Sequence, residues 1–166
     1  MNLDNMEDLL LDELRDLYSA EKQITKALPK MVKAASAPDL RAAFESHLEE
    51  TRGQVARLEK IFEMLGKRGA GKTCEGMKGV LTEGAEVIED IEKGAVRDAG
   101  LIAAAQRVEH YEMAGYGSVR AFAHLLNKPA LVGLLDETLA EEKAADKKLT
   151  QISSTVNKQA KANLAA

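Results

Sequence analysis

Four long stretches of this chain set apolar residues at alternating steps of three and four, and the middle of each stripe is polar. The first runs Leu10, Leu14, Leu17, Glu21, Ile24, Leu28, Met31. The second runs Phe44, Leu48, Thr51, Val55, Leu58, Phe62, Leu65, with His47, Glu50 and Gln54 along one flank. The third is Ile102, Ala105, Glu109, Glu112, Tyr116, Val119, Ala123, Leu126, and the fourth is Leu131, Leu135, Thr138, Glu142, Ala145, Leu149, Ile152, Val156. Steps of three and four keep side chains on one face of an α-helix. The pattern therefore predicts an all-α chain of four long amphipathic helices, each with a carboxylate on or beside its buried stripe near mid-length. The absence of Trp and the abundance of Ala, Leu, Glu and Lys agree with helix throughout.

Punctuation places the helix ends. Asp4 with Glu7 resembles a capping box for the first helix, and Pro29 inside its stripe predicts a kink near Leu28 rather than a stop. Ser36 is the candidate cap of the second helix, with Pro38 in its first turn, and Gly66, Gly69 and Gly71 end it near Leu65. A shorter helix is expected from about Met77 to Lys93, with Val80, Leu81, Val87, Ile88 and Ile91 as its apolar side. Asp98 can cap the next long helix, and Asn127-Lys128-Pro129 turns into the last, which should end near Val156. Two short turns and one long connection describe two antiparallel hairpins joined by a single crossover that carries the fifth, shorter helix. One domain over residues 1–157 follows, with a frayed tail at 158–166.

The carboxylates set the chemistry. An ionised carboxylate buried without a partner is strongly destabilising, and several facing one another repel. A divalent metal pair would compensate. Glu21, Glu50, Glu112 and Glu142 are the expected ligands, with His47, Gln54, Glu109 and Asp146 as further ligands or orienting groups. A faint internal repeat supports this pairing. Glu21 and Glu50 are 29 residues apart, Glu112 and Glu142 are 30 apart, and Gln54 and Asp146 follow the second member of each pair by four. Tyr18 and Tyr116 lie near the presumed centre. His110, turned by about 100° from Glu109, should face away, and His124 sits near a helix end. Gly115 and Gly117 are costly inside a helix, which suggests a close helix approach or a local bulge near Glu112.

Other partners are disfavoured. The formal charge of −4 and the lack of a basic stripe argue against nucleic acid. No segment reaches the roughly 20 apolar residues that span a bilayer. The single cysteine, Cys74, excludes an internal disulfide, and with no secretory signal visible a cytoplasmic setting is expected.

The stretches Leu28-Pro29, His47-Leu48-Glu49-Glu50-Thr51, Arg57-Leu58-Glu59, Glu109-His110-Tyr111-Glu112 and Leu139-Ala140-Glu141-Glu142 resemble the YciE/YciF family of bacterial stress-associated proteins. The resemblance covers about residues 5–155. It implies a ferritin-like bundle, a homodimer and a metal centre. The chain departs from the di-iron pattern of that superfamily, in which a Glu is followed three residues later by His. Gly53 follows Glu50 and Ala145 follows Glu142 at that spacing.

The expected function is a metal-binding stress-response protein with two divalent ions, iron or manganese, or else magnesium or calcium, handling iron or peroxide with dioxygen or peroxide as the small oxidant. The alternative is a catalytically silent helical dimer that acts through protein interaction. Val80, Val87, Ile88 and Ile91 are the candidate dimer surface.

Overall fold

The computed structural model describes residues 4–162, and they fold into five helices with no strand among the described residues. Helix α1 spans Met6–Ala34, α2 Pro38–Leu65, α3 Glu75–Asp90, α4 Ala95–Leu125 and α5 Pro129–Ala162. The short connections 35–37 and 126–128 make two antiparallel hairpins, α1/α2 and α4/α5, which pack into a four-helix bundle. The segment 66–94 crosses between them and carries α3, which lies against α4 and α1. This is the single-crossover architecture expected from the stripes and turns, and the ferritin-like bundle that the family resemblance implied.

Several ends differ from expectation. Asn5, not Asp4, caps α1: its Oδ1 accepts from the Glu7 and Asp8 amides, both at 2.9 Å. Ala37 precedes α2 and offers no side-chain cap. Asp98 of α4 instead ties down the connection before it, its two oxygens accepting the amides of Ser36 at 2.8 Å and Ala37 at 2.7 Å. Asp98 lies 62 residues beyond Ser36 and 61 beyond Ala37, yet it closes the α1–α2 corner rather than capping its own helix, which sequence spacing cannot reveal. Helix α1 runs through Pro29 to Ala34. Helix α5 continues six residues past Val156, so residues 158–162 of the expected tail are helical and 163–166 lie outside the described residues.

Gly66 ends α2 at φ +62, and the amides of Gly66 and Lys67 return to the carbonyls of Glu63 and Phe62. Asn127, at φ 53, ends the other hairpin's first arm. Gly115 marks a close approach: a Cβ there would lie 2.7 Å from Leu17 Cδ2, whereas one at Gly117 would meet nothing within 4 Å.

Two apolar cores result. One contains Leu10, Leu14, Leu17, Leu58, Val119 and Leu135. The other contains Ile24, Leu28, Phe44, Leu101, Leu149 and Val156. On every long helix the polar mid-stripe residues fall between its contributions to the two cores. The bundle is thus divided at mid-height by a buried polar layer. The apolar side of α3 is half-buried, with Val80, Leu81, Val87 and Ile88 packed on the second core.

Candidate metal centre

Each long helix delivers between one and three groups to this layer. Glu21 comes from α1, Glu109 and Glu112 from α4, Glu142 from α5, and His47, Thr51 and Gln54 from α2. All are buried, and Glu21, Glu112, Glu142, Thr51 and Gln54 have no exposed surface. The face that α2 buries is rotated from the expected stripe. Leu40, Phe44, His47, Thr51, Gln54, Leu58 and Ile61 point inward, while Leu48 and Val55 are half-buried. The rotation takes His47 and Gln54 from the flank into the interior and leaves Glu50 at the rim, its side chain 41% exposed.

His47, Glu109, Glu112 and Glu142 form a tight group. Each offers one ligand atom, and these atoms all lie within 4.8 Å of one another. His47 Nε2 is 3.3 Å from Glu109 Oε1, and Nδ1 is 3.5 Å from Glu50 Oε2. Both are ion-pair distances, yet neither contact has hydrogen-bond geometry, so both ring nitrogens lack a hydrogen-bond partner. The same holds for Glu109 Oε2, for both oxygens of Glu112, and for Glu142 Oε2. Buried polar atoms are normally paired, so such a concentration of orphaned acceptors calls for a proton or a cation.

The electrostatics agree. Burial, first of all, pushes the Glu21, Glu109 and Glu112 carboxyls well above the usual carboxylate range. The Glu142 charge adds to the effect at Glu21, while at Glu109 a hydrogen bond donated to Glu142, which favours the protonated form, comes next and then the Glu142 charge. At Glu112 the added charges are those of Glu21, Glu142 and Glu109. Glu142 is raised by burial too, but Glu109, His47 and Gln54 ease it. The donor set fits a divalent cation. Three carboxylates supply the charge, and an imidazole beside them suits iron, manganese or zinc better than calcium or magnesium, which favour all-oxygen sites.

The other expected site residues lie around this group. Glu21 Oε1 accepts a hydrogen bond from the Tyr116 hydroxyl, and Glu21 stands outside the quartet. The Gln54 amide nitrogen donates to Glu142 Oε1 and, at 3.1 Å, to Glu141 Oε2. Asp146 is at the surface side, where its Oδ1 pairs with His110 Nε2 at 3.3 Å and Gln106 Nε2 at 3.0 Å. His110 points out as expected, its side chain 67% exposed.

Sequence reasoning missed a supporting chain. Arg57 Nη1 donates to Glu141 Oε2 at 2.7 Å and to Thr138 Oγ1 at 3.1 Å, and Arg57 Nε lies 3.2 Å from Glu137. Glu142, Gln54, Glu141, Arg57 and Glu137 thus form one polar line from the interior to the surface. The available signal was Arg57, one turn beyond Gln54, facing a Glu137/Glu141 pair at helical spacing. Cys74 is buried and caps α3: its Sγ accepts the Met77 amide and contacts Asp16 Oδ2 at 2.7 Å and the Tyr111 hydroxyl at 3.0 Å.

A groove of about 840 Å³ leads along α2 and α5 from the bundle end to this layer. Leu28, Phe44, Leu149 and Val156 line it, and His47 and Glu109 border its mid-bundle end.

The comparisons with known proteins agree on the family and the fold. The family model described as "Domain of unknown function (DUF892)" matches residues 5–162. The chain is 48% identical to Protein YciF of Escherichia coli over 162 residues, 96% of this chain and 98% of that one. The crystal structure of that E. coli stress protein superposes with a TM-score of 0.91 over 95% of this chain and 99% of that chain. YcfI from Rhodopseudomonas palustris, for which a structural role has been suggested, is 46% identical, with a TM-score of 0.87 over 90% of this chain and 95% of that one. A ferritin-like di-iron carboxylate protein from Bacillus anthracis shares the fold at 18% identity, with a TM-score of 0.69 over 92% of this chain and 99% of that chain. The resemblance to the YciE/YciF proteins drawn from the five motifs is thereby borne out.

Proposed function

The chain belongs to the DUF892 family, and from that membership and the interior ligand set we propose that it binds divalent transition metal, iron or manganese, in the handling of iron or peroxide under stress. The observation that carries the reading is the quartet His47, Glu109, Glu112 and Glu142, four buried ligand atoms within 4.8 Å of one another with orphaned lone pairs among them. The stress assignment leans on the likeness to E. coli YciF, a stress protein.

A bound ion would supply a Lewis-acidic, redox-capable centre. The rest is the work of this chain's residues. His47 presents the imidazole, and Glu50, 3.5 Å from its Nδ1, biases the orientation of the ring. Gln54 fixes one oxygen of Glu142, and the Arg57–Glu141 pair fixes Gln54. Tyr116 holds Glu21 beside the quartet. The groove gives a small oxidant, dioxygen or peroxide, a route to the His47 edge. Assembly as a homodimer in the cytoplasm is part of the proposal, and light scattering that reports a monomer at micromolar concentration would remove the dimer.

The test is the metal content of protein purified without chelator, followed by dioxygen uptake with ferrous ion and oxygen evolution on adding peroxide. Bound iron or manganese with either activity supports the reading. A second reading is a catalytically silent helical dimer, supported by the same raised carboxyl groups, which can share protons instead of a cation. Protein that stays metal-free when offered ferrous and manganous ion would favour it.

A further inference from the structure

We infer that the polar layer holds a single tightly bound divalent ion at its His47–Glu109–Glu112–Glu142 end, and that the half around Glu21, Thr51 and Gln54 lacks the ligands for a second. The inference deepens the metal reading above and rests on it.

The two hairpins carry the same spacing. Thirty residues separate Glu112 from Glu142, and thirty separate Glu21 from Thr51. All four are fully buried. Thr51, rather than the rim residue Glu50, is therefore the counterpart of Glu142, and a hydroxyl stands where the repeat would place a carboxylate. That hydroxyl is committed, donating to the His47 carbonyl one turn back at 2.8 Å.

Gln54 does not make up the loss. Its amide nitrogen faces two carboxylate acceptors, Glu142 and Glu141, which fixes which end of the amide points where. The remaining oxygen is neutral and a weaker ligand than a carboxylate. Glu21 has one oxygen engaged by Tyr116 and only Oε2 left. A second ion would own a single anionic oxygen and would otherwise have to share Glu112 and Glu142. Two dications in such a pair sit roughly 3.5–4 Å apart and repel strongly, so an ion with so few ligands of its own is not held there.

At the other end the donors accumulate. His47 lies one turn before Thr51 and Glu109 one turn before Glu112, and both turn into the same end of the layer. They add an imidazole and a carboxylate to Glu112 and Glu142. Mixed nitrogen and oxygen donors select manganese, iron or zinc.

The experiment uses the full chain, stripped with chelator and titrated anaerobically with manganous ion. Ions retained after gel filtration are counted by elemental analysis, and the bound ion is examined by electron paramagnetic resonance. The expected result is one ion per chain, with the hyperfine pattern of an isolated manganese, and the same count in Glu21→Gln. Two retained ions per chain, an exchange-coupled spectrum, or a lower count in Glu21→Gln overturns the inference while leaving the metal reading standing. No retained manganese, with none from ferrous or zinc ion either, overturns both.

Discussion

His47 Nε2 of α2 faces Glu109 Oε1 of α4 at 3.3 Å across the bundle, with neither group hydrogen-bonded to the other. The contact links the two hairpins at mid-height, and it is where the proposed ligands from different hairpins meet. Metal binding should therefore tie the hairpins together and stabilise the fold.

A ligand that binds only the folded state adds RT ln(1 + [L]/Kd), about 2.7 kcal/mol at a hundredfold excess over Kd. Thermal melts with ferrous or manganous ion should show this shift in the wild type. Glu112→Ala and His47→Ala should lose most of it, and His110→Ala, whose ring points to solvent, should keep it. An equal shift in Glu112→Ala would leave the interaction reading ahead.

The same carboxyls set a pH dependence. Glu21, Glu109 and Glu112 have folded-state pKa values raised well above the ordinary range. Their contribution to stability is fully present below the unfolded glutamate value of about 4.3 and is lost as pH rises through the folded values. In chelated protein, Glu112→Gln mimics the protonated carboxyl. It should match the wild type near the unfolded value and exceed it by roughly 1 kcal/mol or more at pH 8. Denaturant melts across that window decide the matter, and a variant less stable than wild type at pH 8 would contradict the raised value. With metal present the trend reverses, because protons compete for the ligands.

Arg57 acts on the ion through Glu141 and Gln54. Arg57→Ala should release that line, let Glu142 reorient and weaken metal affinity about 10-fold or more, leaving the number of ions unchanged. Arg57→Lys should recover part of the loss through the Glu141 contact. Isothermal titration of the three proteins separates affinity from stoichiometry, and an unchanged Kd in Arg57→Ala would show that the line is not coupled to the site.

Asp98 has a purely structural effect to reveal. It is 2% exposed and accepts the Ser36 and Ala37 amides in the connection that leads into α2. Asp98→Ala leaves both amides without this acceptor and should cost about 2–3 kcal/mol, since hydrogen bonds to charged groups contribute roughly 1.5–3 kcal/mol each and water recovers part. Urea denaturation measures it, and a loss below about 0.5 kcal/mol would mean that solvent replaces the carboxylate at this corner.

Helix number, helix type and the height of the polar layer were all legible from the sequence, because a 3.6-residue period writes the buried face of each helix into the spacing of its apolar residues. Glu21, Glu112 and Glu142 interrupt such faces, so their burial followed directly. Stripe position also put Glu109 inside. The rotation of α2 was not legible. Its pattern admits two neighbouring faces about one residue apart, and only packing against α1 and α5 selects the one that turns His47 and Gln54 inward and Glu50 to the rim. Partners distant in the chain were equally hidden: Asp98 for the α2 corner, Asp16 and Tyr111 for Cys74, and Glu141 for Arg57. Local periodicity decides which side of a helix is buried. Which buried groups touch, and so how many ions the layer can hold, depends on the angles at which four helices meet, and those exist only in the assembled bundle.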